Sequence, residues 1–542
     1  MGIPAFYKHL LQTVAGLTSK TRSRVPDLLA LDLNCAIYHC VRLQQKETPY
    51  KPATKAAYEQ AVVDRTIAYI QQLDRYVTPH ALYIAVDGVA PMAKLKQQRM
   101  RRFKSAVTAE EEARVKAAAE GKRYVKEERW DTNAITPGTD FMERLTRSLY
   151  AFQERNKDRV TVSPADEPGE GEQKIMDYLR GKPDITDTVV YGLDADLIIL
   201  SLYHQANHDS RVDLFREETE FMGGGVKVDA LGEEQFLYLS TTVLADVLFA
   251  NYAKEGQQQA AFISDFVGLM NLQGNDFVPH GMGLKIKDEG IERVLEIQRA
   301  SPTALISVDA KTKVATYNVD ALKRILGILA EEEPHHVLTQ CRKKLTQRGG
   351  YGKTEQERAM ARYQDQPLEW RAEDVLVIQS RVEGMEKTQY ALRPDWCVRY
   401  DREVFEGGAA AAAVAYCESL AWTMAYYSGA PAIDTEWYYP WLLPPRFSTV
   451  CDFLTSAKTL SVPTTVRPLL TPKEQLALVL PESSFHLLPS EYRRLCDRHA
   501  WAFPVKWPVF SLGRRYLWEC EPIIPLVTPS QMRGWIEEIY EP

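Results

Sequence analysis

The stretch LYIAVDGVAPMAKLKQQRMRRFKSA, residues 82–106, sets the fold class of this chain. Its first five residues, Leu82 to Val86, are apolar or small without alternation, the mark of a strand buried on both faces of a parallel sheet. Asp87 follows directly, and Gly88 and Pro91 turn the chain. The helix expected next carries Lys94, Lys96, Arg99, Arg101, Arg102 and Lys104 and no acid. Lys94, Gln98, Arg101 and Arg102 fall at i, i+4, i+7 and i+8, one face of that helix. A carboxylate at a strand end facing a row of cations suits a metal ion beside a bound phosphate.

Working outward, the same pattern recurs. A strand at Leu28 to Leu31 ends at Asp32, and an Ala- and Val-rich helix at 55–76 leads into the quoted strand. A strand at 159–163 precedes PADEPGEGEQKIMDYLR, in which Pro168 and Gly169 turn the chain and Glu170 and Glu172 open a helix reaching Arg180. VVYGLDADLIIL reads as a buried strand with Asp194 and Asp196 at its exit, and a helix through Phe262 to Leu272 runs into GNDFVPH with Asp276. Strand, crossover helix and strand in succession describe an α/β domain, a mainly parallel central sheet flanked by helices. In such sheets ligands gather at the carboxyl ends of the strands. Elsewhere the expectations are plainer. Residues 108–129 read as a solvated helix, and 211–229 as two strands joined by a glycine turn at 223–225. EEEPHH (331–336, with His335 and His336 in solvent) and CRKKLTQRGGYGK read as surface connection, and 407–427 as a buried helix.

At 542 residues the chain exceeds the roughly 250–300 at which a single core stops growing, so more than one compact unit is expected. With 45% hydrophobic and 26% charged residues it has the composition of an ordinary soluble protein. No run of about 18 apolar residues predicts a membrane span, and MGIPAFYKHLL is too weakly apolar for a signal peptide. Phe6 stands where a myristoylation signal needs Ser or Thr. Eight cysteines, at 35, 40, 341, 397, 417, 451, 496 and 520, form no CxxC pair, which argues against a zinc knuckle and for reduced thiols. A cytoplasmic place is the expectation, with the nucleus left open. The net charge of −7 excludes non-specific coating of a polyanion but not an enzyme with a local basic patch and acids of its own.

Seven carboxylates are read together: Asp32, Asp87, Glu170, Glu172, Asp194, Asp196 and Asp276. Any one of them is explained by a helix cap or a dipole. Several converging on one end of a sheet repel one another unless cations intervene. Hard oxygen donors in excess indicate Mg²⁺ or Mn²⁺, with room for two ions. Two ions about 3.5–4 Å apart activate a water and stabilise the leaving oxygen of a phosphodiester. No Ser-His-Asp or Cys-His arrangement competes.

Several blocks now carry a resemblance. VDGVAPMAKLKQQRMRRFKSA, NAITPGTDFM, PGEGEQKIMDYLR, YGLDADLIIL and ISDFVGLMNLQGNDFVPH resemble, in order, the signatures of the Xrn/Rat type of 5′→3′ exoribonuclease, as do MGIPAFYKHL and LDLNCAIYHC. WCVRYDREVF, YCESLAWTMAYYSG, EWYYPW and PKEQLALVLPESSFHLLPSEYRRL resemble that family's second conserved region. The resemblance covers nearly the whole chain except roughly 300–390. It implies a PIN-like or FEN-like nuclease core at 1–290, a variable connecting segment at 291–395, and a mostly helical second region at 396–542 packed on the core and completing the substrate pocket.

The resemblance also implies roles. The seven acids match the family's metal ligands for Mg²⁺, with Mn²⁺ able to substitute, and Lys94, Gln98, Arg101 and Arg102 match its pocket for a 5′-monophosphate. Tyr38 stands where the family has a stacking His, with His39 one step later, and an aromatic ring there still stacks on a base. Trp437 is the candidate for the family's stacking Trp, with Trp422 in reserve. Lys96, Arg99 and Lys104 are left to guide the strand or to form salt bridges elsewhere. The implied activity is processive 5′→3′ degradation of single-stranded RNA bearing a 5′-monophosphate to nucleoside 5′-monophosphates, by a monomer, as in mRNA decay. Partners such as decapping or other RNA-processing factors are left unassigned. The chain resembles a minimal catalytic form, without the large extension of cytoplasmic members or the zinc knuckle of some nuclear ones. Two rival readings stand beside it. One is a DNA flap endonuclease, favoured only by GMGLK at Gly281 to Lys285; the other is an inactive RNA-binding scaffold, whose mark would be a lost acid.

Overall fold

The computed structural model describes residues 6–126, 128–192, 194–218, 226–229, 233–281, 283–347, 352–365, 375–380, 389–465 and 467–540. Its centre is a seven-stranded sheet of β1 (Thr18–Ser19), β2 (Leu28–Asp32), β3 (Ala81–Ala85), β4 (Val160–Ser163), β5 (Asp187–Tyr191), β6 (Arg211–Glu217) and β7 (Phe236–Ser240). Their order across the sheet is β1-β7-β6-β5-β2-β3-β4. The pairs β2–β3, β3–β4, β2–β5 and β5–β6 are parallel, and β7 and β1 close one edge antiparallel. The chain lays β2, β3 and β4 down in one direction and then returns to place β5 on the other side of β2. The carboxyl ends of β2 and β5 therefore frame a switch point, where an open α/β sheet forms its binding crevice.

Why these strands are apolar without alternation follows from burial on both faces. Leu28, Ala30, Tyr83, Ala85 and Val190 face one core, shared with the helices Gly171–Arg180, Ala195–Asn207 and Gln259–Met270. Leu29, Leu31, Leu82, Ile84, Val189 and Tyr191 face the other, under Leu33–Glu47, Lys55–Val77 and Asp140–Arg155. The mainly parallel sheet, its helical layers and the helical second region are as the sequence leads one to expect. The second region is no detached unit, because its central helix, Ala409–Ser428, contributes Tyr416, Leu420, Trp422, Met424 and Tyr427 to the first of these cores.

Three expectations change. Of the expected solvated helix at 108–129, only 108–119 is helical among the described residues, as the second half of one helix, Met92–Ala119, which neither proline nor glycine interrupts. All its buried residues, Met92, Ala93, Leu95, Arg99, Arg102 and Phe103, lie in the first half. The partner of β6 is not within 211–229 but at Phe236–Ser240, and the glycines at 223–225 lie outside the described residues. The segment around Glu331 to Lys353 is not mere surface connection. Much of it belongs to a helix, Val319–Thr346, that runs through Pro334 and buries Leu322, Ile325, Leu326, Leu329, Glu333, Val337 and Cys341. That spacing of three and four is a helical stripe, and the good helix formers around Pro334 outweigh its missing donor. Among the described residues no helix is long and apolar enough to cross a membrane.

The basic helix also ties the two halves together. Lys96 donates through Nζ to the carbonyls of Tyr439 (2.5 Å) and Trp441 (3.1 Å). Arg99, fully buried, donates to the carbonyls of Leu478, Ala502 and Pro525 and lies over the rings of Phe103 and Phe503. Lys104 donates to Trp518 (3.0 Å) and Cys520 (2.5 Å). These three were expected to guide a strand or to form salt bridges; they bond to peptide carbonyls of the second region instead. Charge-assisted bonds of this kind are stronger than neutral ones, so one side of the helix is a docking spine.

Candidate active site

Each strand end delivers its acid through a different local device. Asp32 closes β2 and precedes the helix Leu33–Glu47. Asp87 lies two residues past β3 and accepts from Gly171 N at 2.7 Å and from Asn34 Nδ2 at 2.8 Å. Asp194 caps the helix Ala195–Asn207, accepting from Ala195 N at 2.7 Å, and Asp196 is in its first turn. Glu170 and Glu172 flank Gly171 at the head of Gly171–Arg180. A side chain at Gly171 would meet Asp32 Oδ1 at 2.8 Å and Asp87 Oδ1 at 3.4 Å, so only glycine lets the three chains close in. Gly192, at φ +140°, turns β5 toward Asp194 in a conformation that other residues rarely adopt.

The acids are enclosed and act on one another. Glu170, Glu172 and Asp196 are buried, Asp196 completely. Burial, reinforced by Asp87 and Asp194, pushes the Asp32 carboxyl up to about 8. Burial with Asp276 and Asp194 drives Asp196 well above the usual carboxylate range, and burial also drives Glu172 there, with Glu170 and Asp196 adding to it. Lys94 is the internal counter-charge, its ammonium 2.6 Å from Glu170 and 2.9 Å from Asp276. Burial opposes its charge, yet Asp276, Glu170 and Glu172 hold its pKa well above the ordinary lysine value. Against burial, Lys94 keeps Asp276 below the usual range. Burial, with Asp87 adding to it, keeps Glu170 above despite Lys94.

One ammonium cannot compensate seven carboxylates. Asp32 Oδ1 and Asp196 Oδ2 are buried with no hydrogen-bond partner. Unpartnered buried anionic oxygens are costly, and a hard divalent cation is the group that satisfies them. The donor set therefore fits Mg²⁺ or Mn²⁺ by type and by its unmet demand. Among the described residues no three ligating side chains already stand close enough together to hold an ion. Glu170 and Asp276 close on Lys94 instead.

Next to the acids, on the same basic helix, Arg102 is buried and its Nη1 has no hydrogen-bond partner. Burial pulls its pKa down to about 10, so it remains charged at neutral pH. Gln98 Oε1 is likewise buried and unpartnered, whereas Arg101 is exposed. Tyr38, 36% exposed, lies within electrostatic reach of Arg102. His39 faces the other way, its Nε2 2.8 Å from Glu234 and its ring against Tyr69. Trp437 is half-buried and stacked on Trp422 at 5.8 Å, in the loop whose Thr435 carbonyl accepts from Met92 N, at the head of the basic helix. Trp422 is fully buried, with its Nε1 donating to the Asp434 carbonyl, and is a core residue rather than a stacking surface.

Sequence reasoning missed several side chains here. Tyr426 Oη donates to Glu170 at 2.9 Å and Tyr427 Oη to Asp196 at 3.3 Å. Asn34 bonds both the side chain and the backbone N of Asp87, and Gln97 Nε2 reaches Asp276 at 3.2 Å. Lys174 Nζ ties the carbonyls of Val86 and Pro164, next to Asp87 and at the exit of β4. The tyrosines lie in a helix legible only as buried; their tie to the acids needs the fold.

A mainly parallel sheet with acids gathered at its switch point, and beside them a buried guanidinium whose Nη1 is unpartnered, has the architecture of a nuclease. The comparisons carry this to a family. The family model for the XRN 5′-3′ exonuclease N-terminus matches residues 1–218, and that for the Xrn1 helical domain matches 397–540. The chain belongs to the XRN 5′-3′ exonuclease family. It is 28% identical to 5′-3′ exoribonuclease 1 of Homo sapiens over 98% of this chain and 34% of that protein. It is 34% identical to 5′-3′ exoribonuclease 1 of Saccharomyces cerevisiae over 52% of this chain and 19% of that protein. With 5′-3′ exoribonuclease 2 of Arabidopsis thaliana it shares 26% identity over 98% of this chain and 66% of that protein. The chain thus spans about a third of the length of its human relative.

Proposed function

We propose that this protein is a processive 5′→3′ exoribonuclease, which takes single-stranded RNA with a 5′-monophosphate and releases nucleoside 5′-monophosphates. The observation that carries this reading is Arg102. A buried guanidinium whose Nη1 has no hydrogen-bond partner, on the helix face that also carries a lysine clamped between two acids, suits a phosphate site adjoining a metal site. Asp32, Asp87, Glu170, Glu172, Asp194, Asp196 and Asp276 would hold two divalent ions, Mg²⁺ or Mn²⁺. Bound there, such ions supply an activated water and a stabilised leaving oxygen.

The chain's own residues do the rest. Arg102, Gln98 and Arg101 grip the terminal phosphate, joined by Lys94 when divalent ions take over its two acids, and a cap or a triphosphate should not fit there. Tyr38 and Trp437 offer rings to the leading bases. Asp87, fixed by Gly171 N and Asn34, keeps its place as the strand advances. Each cleavage leaves a new 5′-phosphate for the same cations, so the cycle repeats on the shortened strand. On this reading 1–290 holds the chemistry, 396–542 completes the pocket, and 291–395 connects them.

A flap endonuclease, the alternative reading of the acid core, acts on duplex DNA. Offered 5′-phosphorylated RNA and a flapped DNA duplex in one reaction, the protein is expected to consume the RNA to mononucleotides and leave the flap junction intact. Cleavage at the DNA junction with the RNA spared would overturn the proposal.

A further inference from the structure

Tyr426 and Tyr427 are consecutive on the helix Ala409–Ser428, so their side chains leave it about 100° apart. That divergence lets one reach the head of the helix Gly171–Arg180 and the other the first turn of Ala195–Asn207. Tyr426 Oη donates to Glu170 Oε1, leaving Oε2 on Lys94. Tyr427 Oη donates to Asp196 Oδ1, leaving Oδ2 buried and unpartnered. Each hydroxyl thus occupies one oxygen of an acid and turns the other inward.

The rings holding these hydroxyls are themselves locked. Tyr426 stacks on Trp422 at 5.0 Å with 23° between planes and meets Phe277 edge-on at 5.5 Å. Tyr427 is 2% exposed and lies edge-on to the same Phe277, at 6.2 Å. Phe277 directly follows Asp276, so one aromatic block touches three acid-bearing segments. A carboxylate's terminal torsion is broad and roughly two-fold, so without such a donor nothing in the rotamer itself selects which oxygen faces inward.

We infer that Tyr426 and Tyr427 are positioning residues of the acid site, setting Glu170 and Asp196 so that each presents one defined oxygen to a divalent cation. The inference rests on the metal-dependent reading above and adds to it a role for the second region: its central helix orients the ligands as well as covering the substrate. Partners that orient a metal ligand are typically worth about 10- to 100-fold in metal affinity or activity.

The test is Mn²⁺ binding followed by electron paramagnetic resonance, on the full chain without RNA, for the wild type, Tyr426→Phe, Tyr427→Phe and the double variant. Tyr416→Phe is the control: the same substitution on the same helix, where the hydroxyl is buried with no hydrogen-bond partner. Each single variant at 426 or 427 is expected to bind Mn²⁺ about tenfold more weakly. Its kcat should fall and its KM for RNA stay level, while Tyr416→Phe matches the wild type. Affinities within about twofold of wild type in both single variants would overturn the inference while leaving the metal site standing. A wild type that binds no Mn²⁺ would instead overturn the metal reading itself. Where a variant melts lower, the rise in its own melting temperature on adding Mn²⁺ reads the same affinity, since a ligand of the folded state stabilises by its occupancy.

Discussion

Asp196→Asn is expected to reduce RNA hydrolysis by about 10³-fold, corresponding to roughly 4 kcal/mol of lost transition-state stabilisation. The substitution keeps the shape of the side chain and its acceptor for Tyr427, and removes only the charge. Asp196 is wholly buried, and Oδ2 has no partner in the fold, so its negative charge has no structural use that offsets its burial. Removing it should therefore leave the metal-free protein at least as stable as the wild type, because burial, Asp276 and Asp194 all disfavour a charge at Asp196 when no metal is bound. The two readouts belong together. Activity near wild type would remove Asp196 from the reaction, and a large drop in metal-free stability would make it a structural acid.

The second large effect is on stability. Arg99→Met should lower the resistance of the protein to denaturation by about 3 kcal/mol, or roughly 2–3 °C in melting temperature for a chain of this length. Three carbonyls, of Leu478, Ala502 and Pro525, lose their donor, and each buried acceptor left alone costs about 1–3 kcal/mol. Relief from burying the guanidinium offsets part of that sum; burial alone brings its pKa down to about 9. The loss should appear first in the C-terminal region, read by protease sensitivity of residues beyond 470, whose core is shared with the basic helix. An unchanged denaturation midpoint would show that apolar packing alone docks the second region.

Much of this was legible in the sequence because the strands are short, apolar and each followed by an acid. Asp32, Asp87 and Asp194 could be placed at one end of a sheet before the sheet was seen, since parallel strands share their carboxyl ends. The face carrying Lys94, Gln98, Arg101 and Arg102 followed from helical spacing, though spacing could not tell that Lys94 turns to the acids and Arg102 inward. The other cations of that helix were misread because a charged side chain looks destined for water or for an acid. Lys96, Arg99 and Lys104 instead meet carbonyls from segments more than 300 residues away, and no local pattern encodes such a partner. The segment around Pro334 was misread for a related reason. The charged run around the proline reads as surface, while the apolar stripe that carries the helix through it is spread over residues 322–341. Between Trp437 and Trp422 the choice waited on burial, which sets Trp422 in the core.

The account stands most directly on one measurement: the degradation of a single RNA sequence prepared with a 5′-monophosphate, a 5′-triphosphate or a 5′-hydroxyl, with Mg²⁺ and with the metal chelated. The monophosphate RNA should be reduced to nucleoside 5′-monophosphates in Mg²⁺ while the other two persist, and chelation should stop all cleavage. Equal rates on the three ends, or undiminished cleavage without divalent metal, would contradict it.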